Sequence, residues 1–153
     1  MIDFEAIQEA RRRVAGLVHR TPLVRSSTLS ESSGTNVYLK LELFQKTGSY
    51  KPRGAFNQLR VLMDETGADR FVGVSGGNFA QGLAHAGTVL GVSTTVVMPS
   101  TTPANYVAAT RGYGGTVEFA RDIAAAIDRA NELAEAGATI AHPFDHPAMM
   151  AGD

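Results

Sequence analysis

Short apolar runs alternate with stretches of helical period through most of this chain, and that alternation limits the fold more than any other feature. Residues 54 to about 65 carry Phe56, Leu59, Leu62 and Met63 at helical spacing. Residues 70–74 form a short apolar strand, 78–90 an alanine-rich helix, and 93–98 a strand rich in β-branched residues. A helix over 103–113, a strand over 115–119, a helix over 122–136 and a strand over 138–141 complete the series. Strands alternating with helices of about 10 to 15 residues make βαβ units, so the expected fold is α/β with a doubly wound parallel sheet. Ligands in such sheets bind outside the carboxyl ends of the strands. Three loops leave those ends: residues 75–78, 99–102, and the one after Phe119.

The flanks are less regular. Phe4, Ile7, Ala10, Val14, Leu17 and Val18 recur at helical spacing and predict an amphipathic helix over about 3–18. Pro22 then forces Thr21 toward extended geometry. Ser26, Ser27 and Ser30 begin a polar segment, Gly34-Thr35-Asn36 is a turn, and residues 37–42 alternate as a strand. The last residues, Met149-Met150-Ala151-Gly152-Asp153, carry no capping helix or charged tail and read as a sequence that breaks off in mid-fold.

At 153 residues, with 44% hydrophobic and 19% charged side chains, the chain is the size and composition of one globular domain. A net charge of -1 offers nothing to nucleic acid or an anionic membrane. No apolar run is long enough to span a bilayer, and Met1-Ile2-Asp3-Phe4-Glu5 lacks the pattern of a signal peptide. The absence of cysteine excludes disulfides, cysteine-ligated zinc and a thiol nucleophile from these residues. A cytoplasmic enzyme domain is the expectation.

Two segments carry chemistry. In Gln45-Lys46-Thr47-Gly48-Ser49-Tyr50-Lys51-Pro52-Arg53-Gly54-Ala55, Lys51 sits between a Thr-Gly-Ser turn and a helix start, with Pro52 in the first turn. A lysine fixed at such a junction can lose water and act as an amine nucleophile, the chemistry of a Schiff base. The plainer alternative is a solvated loop lysine. Further on, Ser75-Gly76-Gly77-Asn78 runs from a strand into a helix. Glycines there let the backbone approach a ligand, and the helix start presents N–H groups to an anion. Ser75 and Asn78 would add side-chain groups, or they are merely helix caps on a tight turn. His142, Asp145 and His146 stand between residues 141 and 147, among Pro143 and Pro147, where a rigid turn favours structural use over a metal site. His19 and His85 have no partners in sequence and are read as structural.

Taken together, the two segments resemble fold-type II pyridoxal-phosphate enzymes, and within them the serine/threonine dehydratase family. The resemblance spans essentially the whole chain: Thr21-Pro22-Leu23, Lys40-Leu41-Glu42, Gln45 with Thr47 to Lys51, Ser75 to Gln81, Val97-Met98-Pro99 and His142-Pro143-Phe144 occur in the family's order. It implies pyridoxal 5'-phosphate as cofactor, bound by Lys51 as an aldimine, with Asn78 on its ring hydroxyl. It also implies that Ser75, with the backbone of Gly76, Gly77 and Phe79, holds the carboxylate of a small amino-acid substrate. Thr47 and Ser49 would shape the turn or touch substrate; Tyr50 would pack near the cofactor or in the core. The implied reaction is loss of the β-hydroxyl from a serine- or threonine-type amino acid, giving a 2-keto acid and ammonia.

Three departures from the family matter. Racemases carry a second serine where this chain has Gly76, which favours elimination over racemisation. The usual histidine after the asparagine is Phe79, which would make that wall more apolar, and Tyr106 stands where a lysine is common. The resemblance divides the chain into 1–45, belonging to a larger domain, 46–145 as a smaller α/β domain with Lys51 and the glycine loop, and 146–153 returning to the larger one. It puts the family's phosphate loop and pyridine-nitrogen partner beyond residue 153, so this segment alone is expected to be inactive. It also implies a homodimer at full length. Two alternatives remain: a β-replacement relative of the threonine synthase or cysteine synthase kind, and a non-catalytic anion-binding α/β module.

Overall fold

The computed structural model describes residues 2–153. Helix α1 (Phe4–Arg13) opens on Asp3, whose carboxylate accepts the Ala6 N–H at 2.8 Å. It ends sooner than expected: Gly16 takes a left-handed φ of 79°, and residues 14–17 are turns. Only part of the expected apolar stripe is covered. Ala10 and Val14 are buried, but Phe4 is 71% exposed and Ile7 46%.

Strand β1 (Leu23–Arg25) pairs antiparallel with β2 (Tyr38–Lys40), and all six residues are exposed. The strand expected over 37–42 is thus three residues long; the chain turns at Leu41 into a 3-10 turn, Glu42–Phe44. Between β1 and β2 the polar segment is a helix, α2 (Ser27–Ser33). Ser26 caps it by accepting the Leu29 N–H at 3.3 Å, and Gly34 closes it at φ 70°.

The main sheet is as the alternation predicts. Strands β3 (Arg70–Val74), β4 (Ser93–Pro99), β5 (Thr116–Ala120) and β6 (Thr139–Ile140) are all parallel, in the order β5-β4-β3-β6. They are linked by α4 (Asn78–Leu90), α5 (Ala104–Gly112) and α6 (Ile123–Glu135), with α3 (Lys51–Thr66) ahead of β3. Successive strand residues face opposite ways. Accordingly Phe71, Val96 and Met98 join Phe56, Leu59 and Leu83 in one apolar cluster, while Val72 and Val97 meet Ala126 and Ala130 of α6 in another. Helices therefore cover both faces. The chain leaves β3 toward β4 but comes back to β6 on the other side of β3. The crevice beyond the ends of β3 and β6 is thus the switch point of the sheet, the usual place for a ligand.

A last helix, α7 (Pro147–Gly152), stands where the sequence pattern shows none. His146 caps it through Nδ1, which accepts the Ala148 N–H at 3.2 Å, and Pro147 fits its first turn. It lies on α3 backbone to backbone: a Cβ on Gly152 would stand 2.7 Å from the Cα of Gly54. Buried Asn57 ties this crossing to α1. It accepts from Arg13 at 2.7 Å and donates to the Ala148 carbonyl at 2.6 Å. No described helix is long and apolar enough to cross a membrane.

Candidate active site

Lys51 is the first residue of α3. The loop before it is pinned by Gln45, whose buried amide accepts the His19 N–H at 2.8 Å and donates to the His19 carbonyl at 2.9 Å. Thr47 and Gly48 then both take left-handed backbone, at φ 63° and 71°. For threonine this conformation is strained, and such strain collects at functional sites. The turn leaves two buried hydroxyls, Thr47 Oγ1 and Ser49 Oγ, without a hydrogen-bond partner. Tyr50 is exposed and not a core aromatic; its ring centroid lies 4.7 Å from Lys51 Nζ.

Helix α4 comes up against the start of α3 at Gly82, where an added Cβ would stand 3.1 Å from the Lys51 carbonyl carbon. A side chain there would force the two helices apart by a few tenths of an ångström. Asn78 lies one turn earlier on the same face of α4, which sets the glycine loop on the helix that packs against the head of α3. In that loop the Ser75 hydroxyl accepts the Gly77 N–H at 3.1 Å, and no side chain caps α4. The first-turn N–H groups are therefore free for an anion. Asn78 is exposed at the helix head. Phe79 is different: its ring is 3% exposed and packs in the core, not in a wall of the crevice, leaving only its backbone to the site. A Cβ on Gly76 would stand 2.6 Å from Thr102 Oγ1, so a side chain there would have to displace the hydroxyl of the loop after β4.

The His142-Pro143-Phe144 turn forms the other wall. His142 Nδ1 accepts the Asp145 N–H at 2.7 Å, and its ring meets Phe144 edge-on at 4.7 Å. With this role, and with His146 capping α7, the two histidines serve the backbone. Among the described residues no group of three or more His, Cys, Asp or Glu is placed to hold a metal ion. Gln58, fully buried on α3, faces the His142 backbone. Its amide, turned to suit, donates to the His142 carbonyl at 3.2 Å and accepts the His142 N–H at 3.1 Å. That clamp holds the Pro143 carbonyl over Lys51, whose Nζ donates to it at 2.9 Å. Lys51 Nζ also meets Asp153 Oδ2 at 2.7 Å, the two side chains being 14% and 16% exposed. Burial holds the Asp153 carboxyl above its usual range, outweighing the bond and charge from Lys51 and the bond from the Gly54 N–H.

Two further groups are shifted by their surroundings. Burial alone would push the Glu42 carboxyl up, but Arg53, Thr21 and Lys40 outweigh it and hold the group below its usual range. Arg53 Nε donates to Glu42 at 2.9 Å and Nη2 at 3.0 Å, a fork that fixes the start of α3 against the segment following β2. Glu42→Gln is expected to cost the full-length protein about 1–2 kcal/mol at neutral pH. Because the folded carboxyl titrates lower than the unfolded one, that stabilisation is present above the unfolded value, near pH 4, and lost as pH falls through the folded one. Urea midpoints of the two proteins should therefore converge in acid. His85 stands edge-on between Phe56 (5.6 Å) and Tyr113 (5.5 Å); burial, helped by the charge of Lys46, holds its imidazole below the usual range.

A half-buried lysine, a free helix N-terminus and a switch-point crevice are matched by known proteins. A family model described as "Pyridoxal-phosphate dependent enzyme" covers residues 14–153. This chain belongs to that family. An L-threonine ammonia-lyase of Thermotoga maritima is 42% identical over 157 residues, across 99% of this chain and 38% of its own length. A threonine deaminase structure from T.th. superposes with a TM-score of 0.87 at 39% identity, over 98% of this chain and 48% of its own. Maize serine racemase superposes with a TM-score of 0.91 at 33% identity, over 99% and 46%. The chain thus spans less than half the length of these relatives. The fold is that of the fold-type II enzymes, whose cofactor is pyridoxal phosphate. The residues present suit the aldehyde and ring-hydroxyl end of that cofactor: an amine, the Asn78 amide, and two buried hydroxyls on Thr47 and Ser49 that lack partners.

Sequence reasoning missed Gln58, Asn57 and Asp153. The first two left a signal, since Asn57-Gln58 interrupts the apolar face of α3 between Phe56 and Leu59. Polar residues on a core face are buried with partners when they are kept there. Asp153 left none.

Proposed function

We propose that the full-length protein is a pyridoxal-phosphate-dependent ammonia-lyase that deaminates a serine- or threonine-type hydroxy amino acid to a 2-keto acid and ammonia. The observation that carries this reading is Lys51 at the head of α3, packed through Gly82 onto a helix α4 that no side chain caps. The relatives named for threonine deamination support the substrate class. Pyridoxal phosphate, when bound, supplies the sink for the electron pair left at Cα. Lys51 is the residue that would hold it, and Asn78 would hydrogen-bond its ring hydroxyl. Ser75 and the N–H groups of Gly76 and Phe79, with that of Gly77 once it exchanges the Ser75 hydroxyl for substrate, receive the substrate carboxylate and so orient the Cα–H bond. The Lys51 amine takes the Cα proton. The Cβ–O bond then breaks, the hydroxyl leaving as water with the proton that Lys51 took, and a second water hydrolyses the released enamine, through its imine form, to 2-keto acid and ammonia. Gly76, closed off by Thr102, presents no side chain for returning a proton to the opposite face, which supports elimination over racemisation.

Exposed Leu23, Tyr38, Leu43 and Phe44 support assigning residues 1–45 to a larger domain, with 46–145 as the smaller one and 146–153 as the return. A cytoplasmic homodimer completes the proposal, on the resemblance alone. The test is direct: the full-length protein, loaded with pyridoxal phosphate and given L-threonine or L-serine, should release 2-keto acid and ammonia in equal amounts. Formation of D-serine faster than keto acid, or no release from either substrate, would overturn it.

A further inference from the structure

Asp153 reaches Lys51 because the α3–α7 crossing has no side chains in it. With Gly54 and Gly152 in contact, the carboxylate is delivered to the amine at 2.7 Å, and the amine's other partner is the Pro143 carbonyl at 2.9 Å. The other charges packed around the pair are engaged elsewhere or exposed. Arg53 of α3 is tied to Glu42, and Arg13 of α1 bonds Asn57. His142 and His146 both accept backbone N–H groups through Nδ1, and Asp145 is exposed. Two acceptors and no donor face the amine, an arrangement that suits an ammonium and not a free base.

We propose that Asp153 is the resting counter-ion of Lys51, a positioning residue that occupies the amine and parks it against Pro143 in the cofactor-free protein. An amine attacks a carbonyl only through its unprotonated lone pair. Cofactor capture at Lys51 must therefore displace this carboxylate first, and the ammonium proton is lost to solvent. The consequence for capture rests on the lysine role proposed above; the ion pair itself rests on geometry.

The test reads amine reactivity in the cofactor-free full-length protein. An acetylating reagent is applied at neutral pH, and each lysine is followed by peptide mass spectrometry. Asp153→Asn is expected to speed acetylation of Lys51 about tenfold, the order expected for loss of one ionic hydrogen bond to the amine. Exposed Lys46, and Lys40 with its Nζ bonded to the Thr21 carbonyl, should keep their rates. Asp153→Glu, which retains the charge, should stay near the parent rate. An unchanged Lys51 rate in Asp153→Asn overturns the proposal. So does a rise shared by Lys40, which would mean that Asp153 only supports the fold. Borohydride fixation with pyridoxal phosphate separates the two readings. Faster Lys51 acetylation without a pyridoxyl mass on Lys51 in either protein upholds the counter-ion and sinks the nucleophile role. A pyridoxyl mass gained equally fast by both, with equal acetylation, does the reverse.

Discussion

Lys51→Arg in the full-length protein is expected to lower keto-acid release by about 10⁴-fold or more while leaving stability near the parent value. Arginine keeps a cation for Asp153 and the Pro143 carbonyl, but its guanidinium does not deprotonate and is no nucleophile. Lys51→Ala should lose as much activity and some stability besides, because it leaves the Asp153 carboxylate, only 16% exposed, without its ion-pair partner. The pair of variants therefore separates chemistry from support. Keto-acid release near the parent level in either would sink the lyase reading. Intact binding of a carboxylate ligand by a protein that never released keto acid would favour a non-catalytic anion-binding module instead.

The second large effect is on folding. At Gly54 an added Cβ would stand 2.5 Å from Asp153 Oδ1, 2.7 Å from Met149 Sδ and 2.8 Å from the Met149 carbonyl. Two of those atoms are held: Met149 is fully buried, and its carbonyl belongs to the backbone of α7. Gly54→Val must push α7 away, and with it goes the Asn57 bond to the Ala148 carbonyl. We expect a loss of about 3 kcal/mol, the upper range for overpacking, read as a lower denaturant midpoint. The same variant should free Lys51 toward amine reagents, since Asp153 follows directly on α7. A midpoint within error of the parent would mean that the two helices separate at little cost.

Much of this is written in the local pattern. The bounds of β3 and α4 follow from residue type alone, because a β-branched or apolar run and an alanine-rich periodic run are set by local preference and burial together. Lys51 and the Ser75 to Asn78 loop are legible for the same reason, since turn and helix-start chemistry is local. What escapes depends on distant partners. Helix α2 hides behind its serines, although Ser26 and Gly34 are caps. Helix α7 is only six residues and gains its place by lying on Gly54. The resemblance puts Phe79 in the site wall, but the space against Gly73 and Leu83 draws its ring inward. Asp153 has no local signature at all, because its role is created by a contact 102 residues away.

That separation has a bearing on how the lysine comes to be enclosed. Lys51 is held by partners 92 and 102 positions along the chain, and Asn57 by one 91 away. The packing of α3 on α4 and the β3–β4 pairing close much shorter loops. Entropy of loop closure favours forming these first and the long-range contacts afterwards. In kinetic terms, the amine is expected to stay in water until α7 docks on α3, so its reactivity toward an acetylating pulse during refolding would time that docking.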